Sequence, residues 1–417
     1  MKVCVIGAGA AGMTVAGMLG HSGIDVTVLE KNSKAGRKLY ITGKGRCNLT
    51  NLCDARQVID NTVSNSRFLY SAINLFTPQD TVDFFNSLGV ETKVERGGRV
   101  FPVSDKSSDV IDALRRYVCD GNCNIVYNCS AKALSVSDNS VKGVICDDGS
   151  IIYADAVVIA CGGASYPATG STGDGYALAR SAGHDITPIR PALVPMICEG
   201  YDSTLAGLSL KNVSVKVFKD GKEIASRFGE MLFTHTGVSG PVILTLSSII
   251  NKYSNERGNL KGRFNIAVDL KPALDHDKLC ARIVRDIEEC GGKSIKNILP
   301  LLMPRALITH ILAQAHINPN ATGKSLNQAN ISALASAVKS YYISIKTLEC
   351  VDKGVVTAGG VDVKQVNPKD CSSKIAQGLY FAGEVLDVDA FTGGYNLQIA
   401  FSTAVAVARA LAQKAVD

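Results

Sequence analysis

The chain has 417 residues, of which 46% are hydrophobic and 20% are charged, and its formal net charge is +6. This composition supports a sizeable core in two or three domains and excludes a largely disordered protein. No run of about 18 apolar residues is present, which argues against a membrane span. The N-terminus begins on an apolar strand pattern, unlike a signal peptide. We therefore expect a cytoplasmic protein without membrane association, whose mild positive charge permits a polyanionic partner.

Thirteen cysteines are scattered along the chain without any Cys-x-x-Cys spacing. The closest pair, Cys119 and Cys123, has no histidine cluster nearby. In a chain of this size, an odd number of scattered cysteines indicates mostly free thiols that pack as small hydrophobic side chains. We predict neither a disulfide framework nor a metal site.

The first thirty residues carry the strongest motif. An apolar run over residues 2–6 is followed by the glycine pattern Gly7-x-Gly9-x-x-Gly12, an apolar helix and a second strand that ends on Glu30. Strand, glycine turn, helix, strand and acid form one βαβ unit, which is typical of a dinucleotide site. The glycines allow a tight turn and close approach of a diphosphate, the helix N-terminus attracts the phosphates, and Glu30 can bind a ribose.

Residues 31–53 contain six basic side chains and no acidic one. The segment is too rich in glycine to predict a surface helix. Because it directly follows the acid that would bind the ribose, we interpret it as a loop around an anionic cofactor. A solvated basic loop is the alternative.

The middle of the chain changes character several times. Residues 78–114 predict helix, strand and helix, residues 125–152 a small β-meander, and residues 156–160 a buried strand that is followed by a glycine-rich loop. Alternation over residues 191–270 predicts an antiparallel module. Residues 274–343 have helical periodicity and predict a helical insertion, after which strand-like pieces return over 347–363.

The C-terminal residues again combine a short strand, an acidic residue and a helix that begins at glycines. A short strand ends in Gly383-Glu384, and an alanine-rich helix begins at Gly393-Gly394 and runs to about residue 412. The acid can bind a ribityl chain, and the helix N-terminus can stabilise negative charge on a reduced isoalloxazine ring. This combination predicts that the dinucleotide is a flavin.

The chain resembles the BaiN/YhiN-type flavoproteins, which are aminoacetone oxidase-like FAD-binding enzymes and NAD(P)/FAD-dependent oxidoreductases. The matching stretches are VIGAGAAG, GRKLYITGKGRCNLTN, GGRVFPVS, ACGGASYPATGSTGDGY, LFTHTGVSGP, VTAGGV and GLYFAGEVLDVDAFTGGYNLQIAFS. The resemblance implies an α/β fold, with a Rossmann-type, GR2-like FAD-binding domain, an inserted antiparallel β-barrel-like domain and a small helical domain. The implied boundaries are 1–190 and 357–417 for the FAD domain, 191–272 and 344–356 for the barrel, and 273–343 for the helical part.

The resemblance also implies a set of FAD contacts, carried over position by position. They are Gly7, Gly9, Ala10, Ala11, Gly12, Glu30, Lys31, Arg37, Lys38, Gly45, Arg46, Cys47, Asn48, Ala133, Ala160, Cys161, Gly162, Gly383, Glu384, Gly394, Tyr395, Asn396 and Leu397. Two departures lie at the edges of the motifs. Residues 370–373 read Asp-Cys-Ser-Ser where Thr-Met-Glu-Ser is expected, and Ala390 replaces a glycine.

The leading functional hypothesis is an FAD-dependent reductase of an activated C=C bond that takes electrons from NAD(P)H. The sequence has one GxGxxG motif, so NAD(P)H is expected to bind transiently. The resemblance implies as substrate a bile-acid-type enone or uracil in ribosomal RNA. Two alternatives stay open, which are a flavin amine oxidase of the aminoacetone oxidase type that releases hydrogen peroxide, and a flavoprotein that binds RNA as its target.

The acid–base residue is not identified by the sequence. Four side chains are candidates. His235 lies in a glycine-rich loop of the middle module that could cap the flavin, Cys47 could approach the flavin as a thiol, and Tyr166 and Tyr395 could donate a proton. Structural roles are the alternative for each.

Overall fold

The apolar run at the N-terminus forms the central strand of a parallel sheet in the computed structural model, which describes residues 1–290 and 292–416. Residues 1–192 contribute the following strands: β1 Lys2–Ile6, β2 Asp25–Glu30, β3 Thr50–Asn51, β4 Thr92–Glu95, β5 Arg99–Pro102, β6 Cys123–Tyr127, β7 Ala131–Ser137, β8 Ser140–Cys146, β9 Ile151–Tyr153, β10 Ala156–Ile159 and β11 Arg190–Ala192. The helices of this part are α1 Ala10–His21, α2 Arg37–Ile41, α3 Ala55–Asp60, α4 Tyr70–Leu75, α5 Pro78–Ser87, α6 Ser107–Asp120 and α7 Asp174–Ser181.

Residues 193–349 form a second group of elements. Their strands are β12 Met196–Cys198, β13 Ser209–Lys219, β14 Lys222–Phe233, β15 Gly237–Ser239, β16 Phe264–Asp269 and β17 Tyr341–Leu348. Their helices are α8 Pro241–Ile250, α9 His276–Cys290, α10 Ile295–Ile298, α11 Arg305–Gln314 and α12 Gln328–Lys339. The remaining residues, 350–416, add β18 Val356–Ala358, β19 Leu379–Phe381 and α13 Tyr395–Val416.

These elements cluster into two units. The first unit comprises residues 1–192 together with residues 350–416, and the second comprises residues 193–349. The first unit is built on a five-stranded parallel sheet in the order β19-β10-β1-β2-β6. Helix α1 packs against α6 and α13. Strands from both ends of the chain therefore share one sheet, which is the Rossmann-type arrangement that the sequence predicts.

The second unit contains a closed antiparallel barrel in the order β12-β15-β14-β13-β16-β17. Along β13 the apolar residues Val213, Val215 and Val217 are buried, and the residues between them are more exposed. This alternation is the period-2 signal that the sequence shows. Helices α9 to α12 lie between β16 and β17 in the chain, so the helical part is an insertion within the barrel sequence.

Three predictions about local structure are wrong in detail. Residues 125–127 do not belong to the meander, because they are part of β6 at the edge of the parallel sheet. The helical region ends at Lys339 and not at Ile343, since β17 begins at Tyr341 with alternating burial. The basic segment contains a short helix, α2, that begins after Gly36 at a backbone φ of +70°. Gly36 adopts the left-handed backbone conformation directly before the helix, so a glycine in this segment marks the start of α2 and does not exclude it.

Helix α13 is 22 residues long. It is the one helix of the described residues that is long and apolar enough to cross a membrane, with a mean hydropathy of 1.3. Its most apolar stretch is 56% buried within the protein. It packs against α1 and α4, as the core helix of a globular domain does.

Candidate functional site

The glycine turn after β1 has the geometry of a phosphate-binding loop. Gly7 has φ +102° and its amide donates to the Leu29 carbonyl at 2.8 Å. A Cβ on Gly12 would lie 1.9 Å from the Gly7 carbonyl oxygen, so this glycine allows the helix to pack against the turn. A Cβ on Gly9 would meet no atom within 4 Å. Of the three glycines, Gly9 alone therefore faces open space, as a diphosphate requires.

Glu30 lies at the end of β2 and is 7% exposed. Its Oε2 accepts from the Ala8 amide at 3.0 Å, and its Oε1 accepts from the backbone and side-chain nitrogens of Asn32 at 2.8 and 2.6 Å. The carboxylate is thereby fixed beside the glycine turn. A carboxylate has about four acceptor positions, so capacity remains for a ribose hydroxyl.

The fold brings distant predicted residues close to this turn. A Cβ on Gly7 would lie 2.7 Å from the Cα atom of Cys161, which shows that the loop after β10 passes next to the turn. Likewise, a Cβ on Gly383 would lie 3.1 Å from the Cβ of Ala11. Three predicted segments that are far apart in sequence therefore meet in the first unit.

A fourth segment joins them at the start of α13. Gly394 has φ +103°, and a Cβ there would lie 2.3 Å from the carbonyl group of Thr50. Asn51 donates from Nδ2 to the Gly393 carbonyl at 3.1 Å. Asn396 holds the preceding loop, since it accepts from the Ala390 amide and donates to the Ala390 carbonyl. The end of the basic segment and the N-terminus of α13 thus form one surface, with Leu397 on the first turn of the helix.

Lys38 and Glu384 are the centre of a polar network. Lys38 Nζ lies 2.7 and 3.0 Å from the two carboxylate oxygens of Glu384, and it also donates to Ser165 Oγ at 2.6 Å. Glu384 Oε1 accepts from the Thr357 amide at 2.8 Å. Thr357 Oγ1 in turn accepts from the Ala164 and Ser165 amides at 2.8 and 3.1 Å. Four chain segments are joined by these bonds.

The sequence did not identify Ser165 and Thr357, although both lie in stretches that carry the resemblance. Ser165 is fully buried and Thr357 is 1% exposed. A buried hydroxyl in an apolar core must have a partner. Each of these hydroxyl residues lies close to glycines in the sequence, which is the signal that could have indicated a polar network.

Other predicted basic contacts have partners of their own. Lys31 Nζ lies 2.6 Å from Asp174 Oδ2, and Arg37 donates to Asn32 Oδ1 at 2.7 Å. The guanidinium of Arg46 pairs with Glu95 and Asp105 and lies 4.2 Å from the centre of the Phe101 ring. The hydrogen bonds to Glu95 and Asp105 raise the pKa of Arg46. The Arg46 guanidinium lowers the pKa of Glu95, and Lys93 together with Arg46 lowers the pKa of Asp105.

Of the remaining predicted contacts, Ala10 is the first residue of α1, Ala133 lies on β7, and Gly45 has φ +84° with open space at its Cβ position. Ala160 and Gly162 flank Cys161 after β10. Asn48 Oδ1 is buried and has no hydrogen-bond partner within the described ranges. An unpaired buried amide oxygen in this segment fits a polar ligand such as FAD.

The four candidate acid–base residues lie in different environments. Cys47 is fully buried, and burial raises the pKa of its thiol to about 12, which keeps it protonated. Tyr395 begins α13, and burial raises the pKa of its phenol. Tyr166 is 36% exposed at a backbone φ of +53°. His235 is exposed on the second unit, in the turn before β15.

His184 lies in a different environment from the one its sequence indicates. Its position predicts a surface or helix residue, whereas the side chain is 2% exposed and its Nε2 lies 2.7 Å from Ser373 Oγ. The described residues contain no group of three or more His, Cys, Asp or Glu side chains that could hold a metal ion.

The Rossmann-type fold and the glycine turn define a dinucleotide-binding protein, and the family match and full-length relatives make it an FAD-dependent oxidoreductase. The chain belongs to the HI0933-like Rossmann-domain family, whose family model matches residues 1–410. It is 33% identical to a 3-dehydro-bile acid delta(4,6)-reductase of Clostridium scindens over 99% of each chain. It is 30% identical to a ribosomal RNA dihydrouridine synthase of Escherichia coli, over 98% of this chain and 97% of that one.

Two solved structures share the fold at low sequence identity. One is a flavocytochrome c3 fumarate reductase, with a TM-score of 0.51 and 17% identity over 100% of this chain and 78% of that one. The other is a 3-ketosteroid delta1-dehydrogenase from Sterolibacterium denitrificans, with a TM-score of 0.53 and 13% identity over 99% of each chain.

Proposed function

We propose that this protein uses FAD to reduce an activated C=C bond, with electrons from NAD(P)H. The observation that carries the proposal is the full-length similarity to two relatives whose named substrates are unlike. A delta(4,6)-reductase and a dihydrouridine synthase are named for steps that saturate a C=C bond conjugated to a carbonyl group. The shared chemistry is therefore conjugate hydride addition, whichever substrate this chain takes.

The residues that we assign to FAD are those carried over from the resemblance, in three groups. Gly7, Gly9 and Gly12 would hold the diphosphate, because the open space at Gly9 lies at the N-terminus of α1. Glu30 would bind the adenosine ribose. Glu384 and the N-terminus of α13 would hold the ribityl chain and the flavin ring.

Bound FAD supplies two-electron hydride chemistry between a nicotinamide and the substrate carbon. The chain contributes the electrostatics of the site. The free amides in the first turn of α13 would favour negative charge on a ring held at this helix N-terminus. Lys38 and Glu384 fix the position of the loop before this helix through their ion pair. Since one GxGxxG motif is present, we propose that NAD(P)H binds transiently.

The test is anaerobic reduction of the purified protein with NADH or NADPH, followed by reoxidation with a panel of acceptors. The expected result is loss of flavin absorbance with one nucleotide, and its return with a dienone steroid or with uridine-containing ribosomal RNA. If neither NADH nor NADPH reduces the flavin, the proposal that NAD(P)H is the electron donor is wrong. Peroxide release on turnover with aminoacetone would support an amine oxidase instead.

A nucleic-acid substrate is the second candidate, and the distribution of charge favours it. Residues 193–349 contain 19 basic and 13 acidic side chains, whereas the rest of the chain contains 25 of each. The net charge of +6 therefore lies in the second unit. The barrel also exposes two aromatic side chains, Phe228 at 62% and Tyr342 at 56%. Basic and aromatic side chains on one domain suit single-stranded RNA.

Salt dependence separates this candidate from a small-molecule reductase. RNA affinity is expected to fall steeply as salt is raised, and charge-neutralising variants of exposed lysines in the second unit, such as Lys211 and Lys346, should reduce the slope. Lys34 in the first unit is the matched control. Equal effects in both units would argue against a role of the second unit in RNA binding.

We place the protein in the cytoplasm, where its thirteen unpaired cysteines would stay reduced.

A further inference from the structure

Asp389 is a buried carboxylate without a partner. It lies in the loop that joins Gly383-Glu384 to the start of α13, and it is fully buried. Neither of its carboxylate oxygens has a partner at full hydrogen-bond geometry in the part of the chain that the structure describes, and the Ser64 hydroxyl is the polar group that lies nearby. Buried polar groups in proteins almost always have partners, because an unpaired one costs several kcal/mol. The position of Asp389 therefore requires an explanation.

The backbone around Asp389 is well fixed. Its carbonyl accepts from the Val63 amide at 2.7 Å, and the next residue, Ala390, forms a bridge with Thr62 and is held by Asn396. The side chain is therefore not at the tip of a loose loop that could turn to water. It is held inside the loop that connects the two segments assigned to the flavin.

Charged and polar groups around Asp389 oppose one another. Burial is the main cause that raises the pKa of its carboxyl, to about 6. The Ser64 hydroxyl and the Arg190 cation lower this pKa, whereas the carboxylates of Asp387 and Glu384 raise it further. A group so placed changes its protonation state in response to a single additional charge nearby.

We propose that Asp389 is the proton-holding residue of the flavin site, which takes up one proton when the bound flavin is reduced and releases it on reoxidation. This inference rests on the proposed function, since it needs FAD at the assigned segments. A carboxylate in a dry site next to the segments that hold the ring would be destabilised by added negative charge, and protonation removes that destabilisation.

The electron and proton balance is simple. Hydride transfer from NAD(P)H moves two electrons and one proton into the site, which leaves one additional negative charge there. Asp389 then accepts one proton from solvent, and its O–H bond offsets that charge. When hydride leaves to the C=C carbon, the charge leaves with it, and Asp389 returns its proton to solvent or to the adjacent substrate carbon.

The test is the pH dependence of the flavin midpoint potential in the purified holoprotein. Each proton taken up in a two-electron reduction changes the potential by 29.6 mV per pH unit. Above about pH 6, the potential of the wild type is expected to change with pH at the slope for two protons, and that of Asp389→Asn at the slope for one proton. The matched control is Asp387→Asn, two residues away, where Asn65 Nδ2 already donates to the carboxylate at 3.0 Å. This variant should keep the steep slope.

A second measurement needs no variant. The infrared difference spectrum of reduced minus oxidised wild type is expected to show a new protonated carboxyl C=O band that shifts in heavy water. An unchanged slope in Asp389→Asn would overturn the inference, as would equal loss of the steep slope in both variants or the absence of the carboxyl band. Protein that binds no flavin would overturn the proposed function as well, so the two failures are distinguishable.

Discussion

Lys38 donates to both carboxylate oxygens of Glu384, at 3.0 and 2.7 Å, across a sequence separation of 346 residues. The two side chains are 23% and 20% exposed, so water screens the pair only in part. The pair links the basic segment that follows β2 to the loop that follows β19. Any cofactor contact by either segment therefore depends on both.

Lys38→Met is expected to weaken flavin binding and to lower the free energy of unfolding by about 1–3 kcal/mol, because it leaves the half-buried Glu384 carboxylate without its cation and donor. Lys34→Met is the matched control in the same segment, where the side chain is exposed, and its effect should stay within about 0.5 kcal/mol. Flavin dissociation constants and denaturant unfolding curves measure both effects. Equal behaviour of the two variants would show that the ion pair contributes nothing.

Gly9→Val is expected to give folded protein without flavin. A Cβ added at Gly9 meets no atom within 4 Å in the chain itself, so we expect the fold to tolerate valine, whose side chain then occupies the space assigned to the diphosphate. Flavin absorbance per protein and the melting temperature of the apoprotein are the measurements. Gly292→Val, another position with open space, is the control and should retain flavin.

Gly12→Val should behave differently from Gly9→Val, since its Cβ would overlap the Gly7 carbonyl oxygen and destabilise the fold itself. If Gly9→Val retained full flavin occupancy, the glycine turn would not be the diphosphate site.

His184 is expected to make stability depend on pH. Burial lowers the pKa of its imidazole, with Asp185 acting in the opposite direction. The folded protein therefore binds this proton more weakly than the unfolded chain, whose histidine has a pKa of about 6.5. Stability from this residue is complete above pH 6.5 and is lost as the pH falls from there toward the lowered value, by up to about 1.4 kcal/mol per pH unit.

Unfolding free energies at pH 7.5 and 5.5 measure this effect. His184→Gln should reduce the difference between the two, whereas His316→Asn, at an exposed position with φ +57°, should leave it unchanged. A wild-type protein that is equally stable at both values would contradict the assignment.

His235→Ala is expected to keep full flavin occupancy, because the residue is exposed on the second unit and no FAD contact is assigned to it. The flavin-to-protein absorbance ratio measures this, and steady-state turnover then tests whether the side chain acts on substrate. Loss of flavin would mean that the loop before β15 has a structural role.

The sequence was sufficient for the Rossmann-type sheet and for the barrel, because both have strong local patterns. The run from Lys2 to Glu30 carries its strand, turn, helix and acid in contiguous residues. Residues 125–127 of β6 and residues 341–343 of β17 were assigned to a neighbouring element, since a strand of five to eight residues next to a periodic segment lies within the same averaging window.

The polar network could not be derived in the same way. Ser165 and Thr357 are hydrogen-bonded to each other although they are far apart in the sequence, and the Asp389 carboxylate is buried without a partner at full hydrogen-bond geometry among the described residues. Neither condition leaves a pattern in neighbouring residues. Their importance follows from burial, which only the folded chain defines.

The order of synthesis has a consequence for how this protein acquires its colour. Strands β1 and β10 leave the ribosome before residues 193–349, but β19 and α13 are made after all of those residues. The barrel and its helices are contiguous and can fold while translation continues. In the proposed site, the pocket for the cofactor is complete only once α13 is released, so nascent chains interrupted before that point should lack flavin colour even when FAD is abundant.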